Sequence, residues 1–411
     1  MKITDFLLLL FRLSGKKLPD LDWIESKGLL AVKIAQHFAL RVDFLNAEVC
    51  AHLTALYTRT KPLRAEVSAE IIKNFSHTWR SNFTFLADEP FASASVGQVH
   101  AGTLQDGTDA VIKIRKADWA PQFIKDITRL KKFFKLILFF YPKLERVADP
   151  VGILDTIRDY TLSELDFTGE IRGAQTLDRI RSAYAPYFDL SGLAFPEYYH
   201  ALSSEKCLVA KRIPGPTFDE LLNKKKLPYE VLLSLFRLHG FYMFVPGIFH
   251  GDIHPGNIIL SGDMIHFIDT GALGRVDETI RSGLFNFMES LCRYDFALCA
   301  ENLHRMSLIR LSEQKFGIFK NKILLLYKNF PGKTVNEVSL TRQMMETIKL
   351  SVNCGMRFEK GMFGVIKSMM YLDGMVLRCK PGAVLIEDMR PAIVDFRKRI
   401  NAMPDKIQVQ V

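Results

Sequence analysis

The sequence has no long hydrophobic run. Its apolar N-terminal stretch, Phe6 to Phe11 within MKITDFLLLLFRLSGKK, is six residues long, and a bilayer-spanning helix needs about 20. It also makes a poor signal peptide, because a single Lys precedes it, Asp5 adjoins it and no small-residue cleavage site follows. The remaining reading is a short helix that packs on the body or touches a membrane face. Cysteine is sparse: Cys50, Cys207, Cys292, Cys299, Cys354 and Cys379 form no CxxC pair, which argues against a zinc or redox motif. In a chain this size they read as buried thiols in a reducing compartment. There is no internal repeat and no low-complexity segment. A long Lys/Arg run and a recognised nucleic-acid module are also missing, which argues against a nucleic-acid partner.

What remains is a globular chain. Its 411 residues are 48% hydrophobic and 24% charged, enough for a sizeable core in two or three domains. A net charge of +10 suits an anionic partner such as a nucleotide or an anionic membrane surface.

Residues 1 to about 85 read as helical. Asp20 and Asp22 can cap a helix from about Trp23, with apolar residues at helical spacing through Leu29, Leu30, Ile34, Phe38 and Val42. Pro62 breaks the pattern, and a second helix runs from about Arg64 to Trp79. At Phe91 the period becomes two. ASVGQVHAGTL, QDGT and DAVIKIRK read as a β-hairpin around an Asp-Gly turn. The helical period returns from Asp118. From Lys116 to Arg146 there are eight Lys/Arg against three Asp/Glu, so RLKKFFKLILFFYPKLER is either a core-facing helix with a solvated Lys face or a membrane-surface helix. A long helix is expected from about Pro150 to Ala183, then strands near Leu193–Tyr198 and Lys206–Ile213. IPGPTF reads as a linker, and the remainder is mostly helical.

One interruption, from about His250 to Gly274, carries the strongest motif. In FHGDIHPGNIILSGDMIHFIDTG, Asp252 and Asn257 lie five apart on a loop that His254, Pro255 and Gly256 keep irregular. Asp252 can orient an attacking hydroxyl or water or accept its proton, and Asn257 offers a neutral oxygen to magnesium. IIL, SGD and MIHFID read as a tight hairpin that delivers Asp269, a second magnesium ligand, to a strand end, with Gly271 permitting a change of direction.

Phosphoryl transfer also asks for a phosphate-covering loop and a strand lysine. Lys113 in AVIKIRK sits on an apolar strand. The loop before it, PFASASVGQVH, is built of Ala92, Ser93, Ala94, Ser95, Val96, Gly97 and Gln98 and is not a GxGxxG. Serine hydroxyls and backbone amides there can still meet phosphate. Lys113 needs a carboxylate partner, and SELDFTGE offers Glu164, Asp166 and Glu170. Asp166 and Glu170 share a helix face, with Glu164 turned away, if the helix is unbroken.

With these residues in view, the chain from about 25 to 385 resembles the UbiB-type atypical kinases, also called aarF-domain kinases. PFASASVGQVH resembles the family's alanine-rich loop, AVIK its strand lysine, ELDFTGE its ExD motif and helix glutamate, and HGDIHPGN with IDTG its catalytic and metal loops. KIAQ, Lys33 to Gln36, resembles its KxGQ motif. The resemblance implies that Glu170 partners Lys113, and that Lys33 meets Glu164 and Asp166 with Gln36 one turn away. Ala35 stands for the KxGQ glycine, Ser93 for a loop alanine, and Thr270 for the usual apolar residue of DxG. Many bacterial members end in transmembrane helices, and none is seen here.

The expected architecture is α+β, a two-lobed protein-kinase-like fold with an N-terminal helical extension. The extension covers 1–85, the smaller lobe 86–213, and the mainly helical lobe with both loops 214–411. The nucleotide should lie in the cleft with the leading helices across it. The resemblance implies Mg2+ with ATP or ADP, and ATPase or small-molecule kinase activity in ubiquinone or prenyl-lipid metabolism. Two alternatives stand beside it: a small-molecule kinase of aminoglycoside or choline type, and a pseudokinase that binds nucleotide or lipid without chemistry. The chain is expected in the cytoplasm, peripheral to a membrane at most. A prenyl-lipid precursor or an anionic membrane surface is the expected further partner.

Overall fold

In a computed structural model the described residues are 1–13, 15, 17–39, 45, 47–57, 65–93, 96–116, 120–141, 150–359 and 361–404. They form two compact units: residues 1–171 with 197–212, and residues 172–196 with 213–411. The helical extension and the sheet therefore belong to one unit, and residues 172–196, expected with the sheet, belong to the other.

The first unit opens with α1 (Ile3–Leu13), α2 (Leu21–Ser26), α3 (Leu29–Ala39), α4 (Ala47–Leu53), α5 (Ala65–Lys73) and α6 (His77–Arg80). The continuous helix expected from Trp23 is divided. Asp20 caps α2 by accepting from the Asp22 and Trp23 N–H groups, and Gly28, at φ 89°, ends it before α3. The second expected helix is also divided, because Ser76 starts a new cap for α6. Val42, Pro62 and Arg64 lie outside the described residues.

Strand structure begins earlier than the alternation suggested, at β1 (Phe83–Leu86), followed by β2 (Ala92–Ser93), β3 (Gly97–Leu104) and β4 (Asp109–Arg115). β3 and β4 pair antiparallel from Gly97↔Arg115 to Thr103↔Asp109. Gly107 takes φ 85° in the Asp-Gly turn, a conformation open to glycine. Alternation on β4 buries Ala110, Ile112 and Ile114, against Phe83, Leu104 and Ile72, and so leaves Lys113 on the other face.

α7 (Ala120–Phe140), α8 (Pro150–Leu165) and α9 (Thr168–Tyr184) follow. The single helix expected from Pro150 to Ala183 is thus two. Asp166 turns the chain by accepting from the Thr168 N–H and Oγ1, and Phe167 is fully buried among Val96, Leu165, Ile171 and Leu208. The next two strands are shorter than expected and part company. β5 (Leu193–Ala194) pairs parallel with a strand of the second unit, while β6 (Cys207–Lys211) pairs antiparallel with β4.

In the second unit, IPGPTF leads to α10 (Phe218–Asn223), started by a Thr217–Glu220 capping box. α11 (Tyr229–Phe244) precedes β7 (Ile248–His250), β8 (Ile258–Ser261), β9 (Met264–Phe267) and β10 (Leu273–Arg275). Six helices complete the unit: α12 (Glu278–Cys292), α13 (Phe296–Met306), α14 (Glu313–Leu326), α15 (Leu340–Asn353), α16 (Gly361–Cys379) and α17 (Leu385–Ala402). All six cysteines are free thiols. Four are buried, while Cys354 and Cys379 are partly exposed. No helix among the described residues is long and apolar enough to cross a membrane.

Candidate active site

In the first unit, β4 and the first turn of α9 bring Lys113 and Glu170 into an ion pair, with both side chains nearly buried. The Lys113 ammonium also lies 5.0 Å from the centroid of the Phe167 ring. The break before α9 produces this arrangement, because burying Phe167 fixes where the helix starts and so where Glu170 points. Gly97 makes room for that ring. A Cβ on Gly97 would stand 2.8 Å from Phe167 Cζ and 3.1 Å from the Ile114 carbonyl oxygen.

A second ion pair joins Lys33 of α3 to Glu164 in the last turn of α8. Lys33 is 5% exposed, and its ammonium lies 5.9 Å from the Tyr160 ring centroid. Ala35 is fully buried, so this helix packs closely with a methyl group in place of a hydrogen. The Gln36 amide donates to the Leu56 carbonyl at 2.8 Å. Asp166, expected beside Lys33 with Glu164, caps the turn into α9.

The alanine-rich loop is part of a hairpin. Ala92 pairs with Val99 and Ser93 with Gln98 across β2 and β3, while Ala94 and Ser95 lie outside the described residues. Val96 is buried in the Phe167 cluster. The buried Gln98 amide donates to Ser68 Oγ at 2.6 Å and to His100 Nε2 at 2.9 Å. His100 Nδ1 donates to the Ala87 carbonyl, and burial keeps this imidazole below its ordinary pKa and neutral. The side chains of Val96 and Gln98 therefore serve the interior, and any nucleotide contact at these positions is left to the backbone.

In the second unit the β8–β9 hairpin sets the geometry. Its register, Ile258↔Phe267 to Ser261↔Met264, continues as the Ile268 N–H donates to the Asn257 carbonyl. Asn257 thus stands across from Ile268, one residue before Asp269. Asn257 Nδ2 donates to the Asp252 carbonyl at 3.0 Å, which leaves Oδ1 as the acceptor end of the amide. Asp269 itself takes the left-handed turn, at φ 55°, where Gly271 was expected to supply the change of direction. A non-glycine residue in that region is strained, and such strain gathers at functional sites.

His250 links the two loops. Its Nε2 donates to the Ile268 carbonyl at 2.8 Å, and its Nδ1 accepts from the Asp252 N–H at 3.1 Å. Complete burial pushes this imidazole below its usual pKa. Asp252 Oδ1 lies 2.8 Å from Lys367 Nζ on α16. Burial alone would raise the Asp252 carboxyl, but Lys367, His254 and His250 outweigh it and hold the group at about 2.

The amide oxygen of Asn257 and the carboxylate of Asp269 are hard donors of the kind Mg2+ takes. Among the described residues no group of three or more His, Cys, Asp or Glu side chains could hold a metal. A two-ligand protein site completed by phosphate oxygens and water suits Mg2+.

A family model, the ABC1 atypical kinase-like domain, matches residues 58–303. The chain belongs to the ABC1 atypical kinase-like family. A relative in Aeromonas salmonicida, named probable protein kinase UbiB, is 24% identical over 401 residues, covering 93% of this chain and 71% of that protein. An Arabidopsis thaliana chloroplastic aarF domain-containing protein kinase is 23% identical over 410 residues, covering 93% and 75%. A Clostridium pasteurianum protein from the hydrogenase 1 5' region is 23% identical over 377 residues, covering 90% and 69%. Among solved structures, the Mycobacterium tuberculosis Rv3197–erythromycin complex superposes with a TM-score of 0.51 over 92% of this chain and 96% of that one, at 19% identity. That likeness bears out the α+β kinase-like fold.

Sequence reasoning assigned no role to Lys367, Phe167 or His250. His250 and Phe167 stood inside the quoted motifs, where the polar residues drew the assignment. Lys367 lacked a local signal, since a lysine in helical sequence reads as a surface residue.

Proposed function

We propose that this ABC1-family chain binds a magnesium nucleotide and acts as an ATPase or small-molecule phosphotransferase that supports ubiquinone or other prenyl-lipid biosynthesis. The observation that carries the proposal is the Lys113–Glu170 pair, a strand lysine fixed on a helix carboxylate inside an apolar cluster. Phosphoryl transfer needs a cation held at a fixed point for the phosphate oxygens. Asp252 serves a substrate hydroxyl or a water. With its carboxyl held at about 2, it is a weak base, and its work is mainly to orient the nucleophile. Asn257 and Asp269 would hold Mg2+, which when bound offsets the charge of the phosphate oxygens. The pairing of Lys33 with Glu164 ties the N-terminal extension to α8, which favours a small substrate over a protein one. The quinone link rests on the family resemblance and on relatives named UbiB.

The test is phosphate release from ATP by the purified chain, with and without Mg2+ and a phenolic quinone precursor. Metal-dependent turnover that Asp269→Asn abolishes supports the proposal. Unchanged turnover in Asp269→Asn sinks the metal assignment. Nucleotide binding without product under every condition indicates a pseudokinase, and rapid phosphorylation of a soluble aminoglycoside or choline indicates the other kinase class.

A further inference from the structure

α16 is anchored at both ends within the second unit. At its start Gly361 lies so close to β10 that a Cβ there would fall 2.6 Å from the Arg275 carbonyl oxygen. Near its end Arg378 donates to Asp219 Oδ1 and Asn223 Oδ1 of α10, each at 2.9 Å. Between these points the inner side of the helix is apolar, with Met362, Val365, Ile366, Met369 and Leu372 buried. Lys367 stands in that row and is itself 6% exposed. A buried ion pair gains little over two apolar side chains of similar volume, so stability alone does not account for a lysine there.

Asp252 supplies the account. Its main chain is held on both sides: the N–H donates to His250 Nδ1 at 3.1 Å, and the carbonyl accepts from Asn257 Nδ2 at 3.0 Å. Those contacts still allow the carboxylate to turn about its side-chain bonds. Lys367 Nζ, 2.8 Å from Oδ1, stops that rotation from an element outside the loop. The same ammonium lies 5.8 Å from the ring centroid of Tyr371, one turn along α16, and the Tyr371 ring lies 5.9 Å from the ring of His254. With Oδ1 engaged, Oδ2 is the carboxylate oxygen left to meet a nucleophile.

Building on the reading of Asp252 as the group that orients the nucleophile, we infer that Lys367 is a positioning residue for phosphoryl transfer: it pins Oδ1 of Asp252 and so aims Oδ2 at the attacking hydroxyl or water. Lys367 acts through Asp252 and touches neither nucleotide nor nucleophile. Such aim matters to rate, because an error of about 1 Å in a reacting group can cost about 100-fold.

The experiment is a double-mutant cycle on single-turnover ATP hydrolysis by the full chain with Mg2+, at a temperature where circular dichroism shows every variant folded. Lys367→Met should lower the rate constant about 10- to 100-fold, while ATP affinity, measured by calorimetry, changes by less than about twofold. Lys367→Arg keeps the charge and should recover part of the rate. In an Asp252→Asn background Lys367→Met should cost nothing further, because the group it positions is gone. Lys367→Gln serves the same cycle if Lys367→Met does not fold. A readout independent of turnover is the nitrogen resonance of the Lys367 ammonium, identified by its loss in Lys367→Arg, which should shift or vanish in Asp252→Asn. Additive losses in the cycle overturn the inference and leave the role of Asp252 standing. So does a native rate in Lys367→Met, a loss confined to ATP affinity, or an ammonium resonance indifferent to Asp252→Asn. A native rate in Asp252→Asn, or no turnover by the unaltered chain, instead overturns the reading of Asp252 and the inference with it.

Discussion

Lys367 on α16 places its ammonium 2.8 Å from Asp252 Oδ1, joining that helix to the loop between β7 and β8. The pair has a predicted pH signature. The Asp252 carboxyl is held at about 2, below its ordinary 3.8. A depressed folded-state value contributes stability above the unfolded value, and that contribution is lost as pH falls from about 4 towards 2. Lys367→Met leaves the partly buried carboxylate without its main counter-charge. Breaking such a pair typically costs about 3–5 kcal/mol, and with Asp252 26% exposed the low end, about 3 kcal/mol, is expected at neutral pH. The deficit should shrink on acidification, because the variant's carboxyl is then free to protonate. Urea midpoints of both proteins at pH 7 and pH 4 check this, and an equal deficit at both would show another origin. Adding Asp252→Asn to Lys367→Met should recover part of the loss.

The Lys33–Glu164 pair calls for a double-mutant cycle. Lys33→Met and Glu164→Gln should each destabilise the chain by about 2–4 kcal/mol, and the double variant should lose less than their sum. Chemical denaturation measures all three. Strict additivity would mean that the pair contributes no coupling.

Gly97→Ala should act through Phe167. The new methyl group meets the ring at 2.8 Å and the Ile114 carbonyl at 3.1 Å, so the ring that underlies Lys113 must move. A stability loss of about 1–3 kcal/mol is expected, with weakened ATP affinity measured by calorimetry. Native stability together with native affinity would refute the close approach.

Gly173 of α9 meets the backbone of the loop just after Asp269. A Cβ there would fall 1.9 Å from the Thr270 carbonyl oxygen, an atom that cannot swing aside as a side chain can. Gly173→Ala should therefore cost about 3 kcal/mol, the upper end for overpacking, and should weaken Mg2+-dependent nucleotide binding because Thr270 follows Asp269. Gly192→Ala in the same unit is the control, since nothing lies within 4 Å of its added Cβ. Equal midpoints for the two variants would refute the contact.

Whatever depends on near neighbours was legible in the sequence. Period-two alternation placed the β3–β4 hairpin and set Lys113 on the face away from Ile112 and Ile114. HGDIHPGN and IDTG, joined by a short hairpin, brought Asn257 beside Asp269 through register alone. Helix breaks were less legible. The interruption at Asp166 and Phe167 was missed because helical spacing continues through it, and a buried ring and a side-chain cap decide it. The pairing of Lys113 with Glu170, and of Lys33 with Glu164, followed only once the family resemblance chose among three nearby carboxylates. Tertiary structure alone supplied Lys367 for Asp252, the fit of Gly173 on Thr270, and the contact of Phe6 with Phe134. Such relations join residues far apart in the chain, and they are settled by which helix faces find apolar partners and by how closely the backbones approach, quantities that no local spacing encodes.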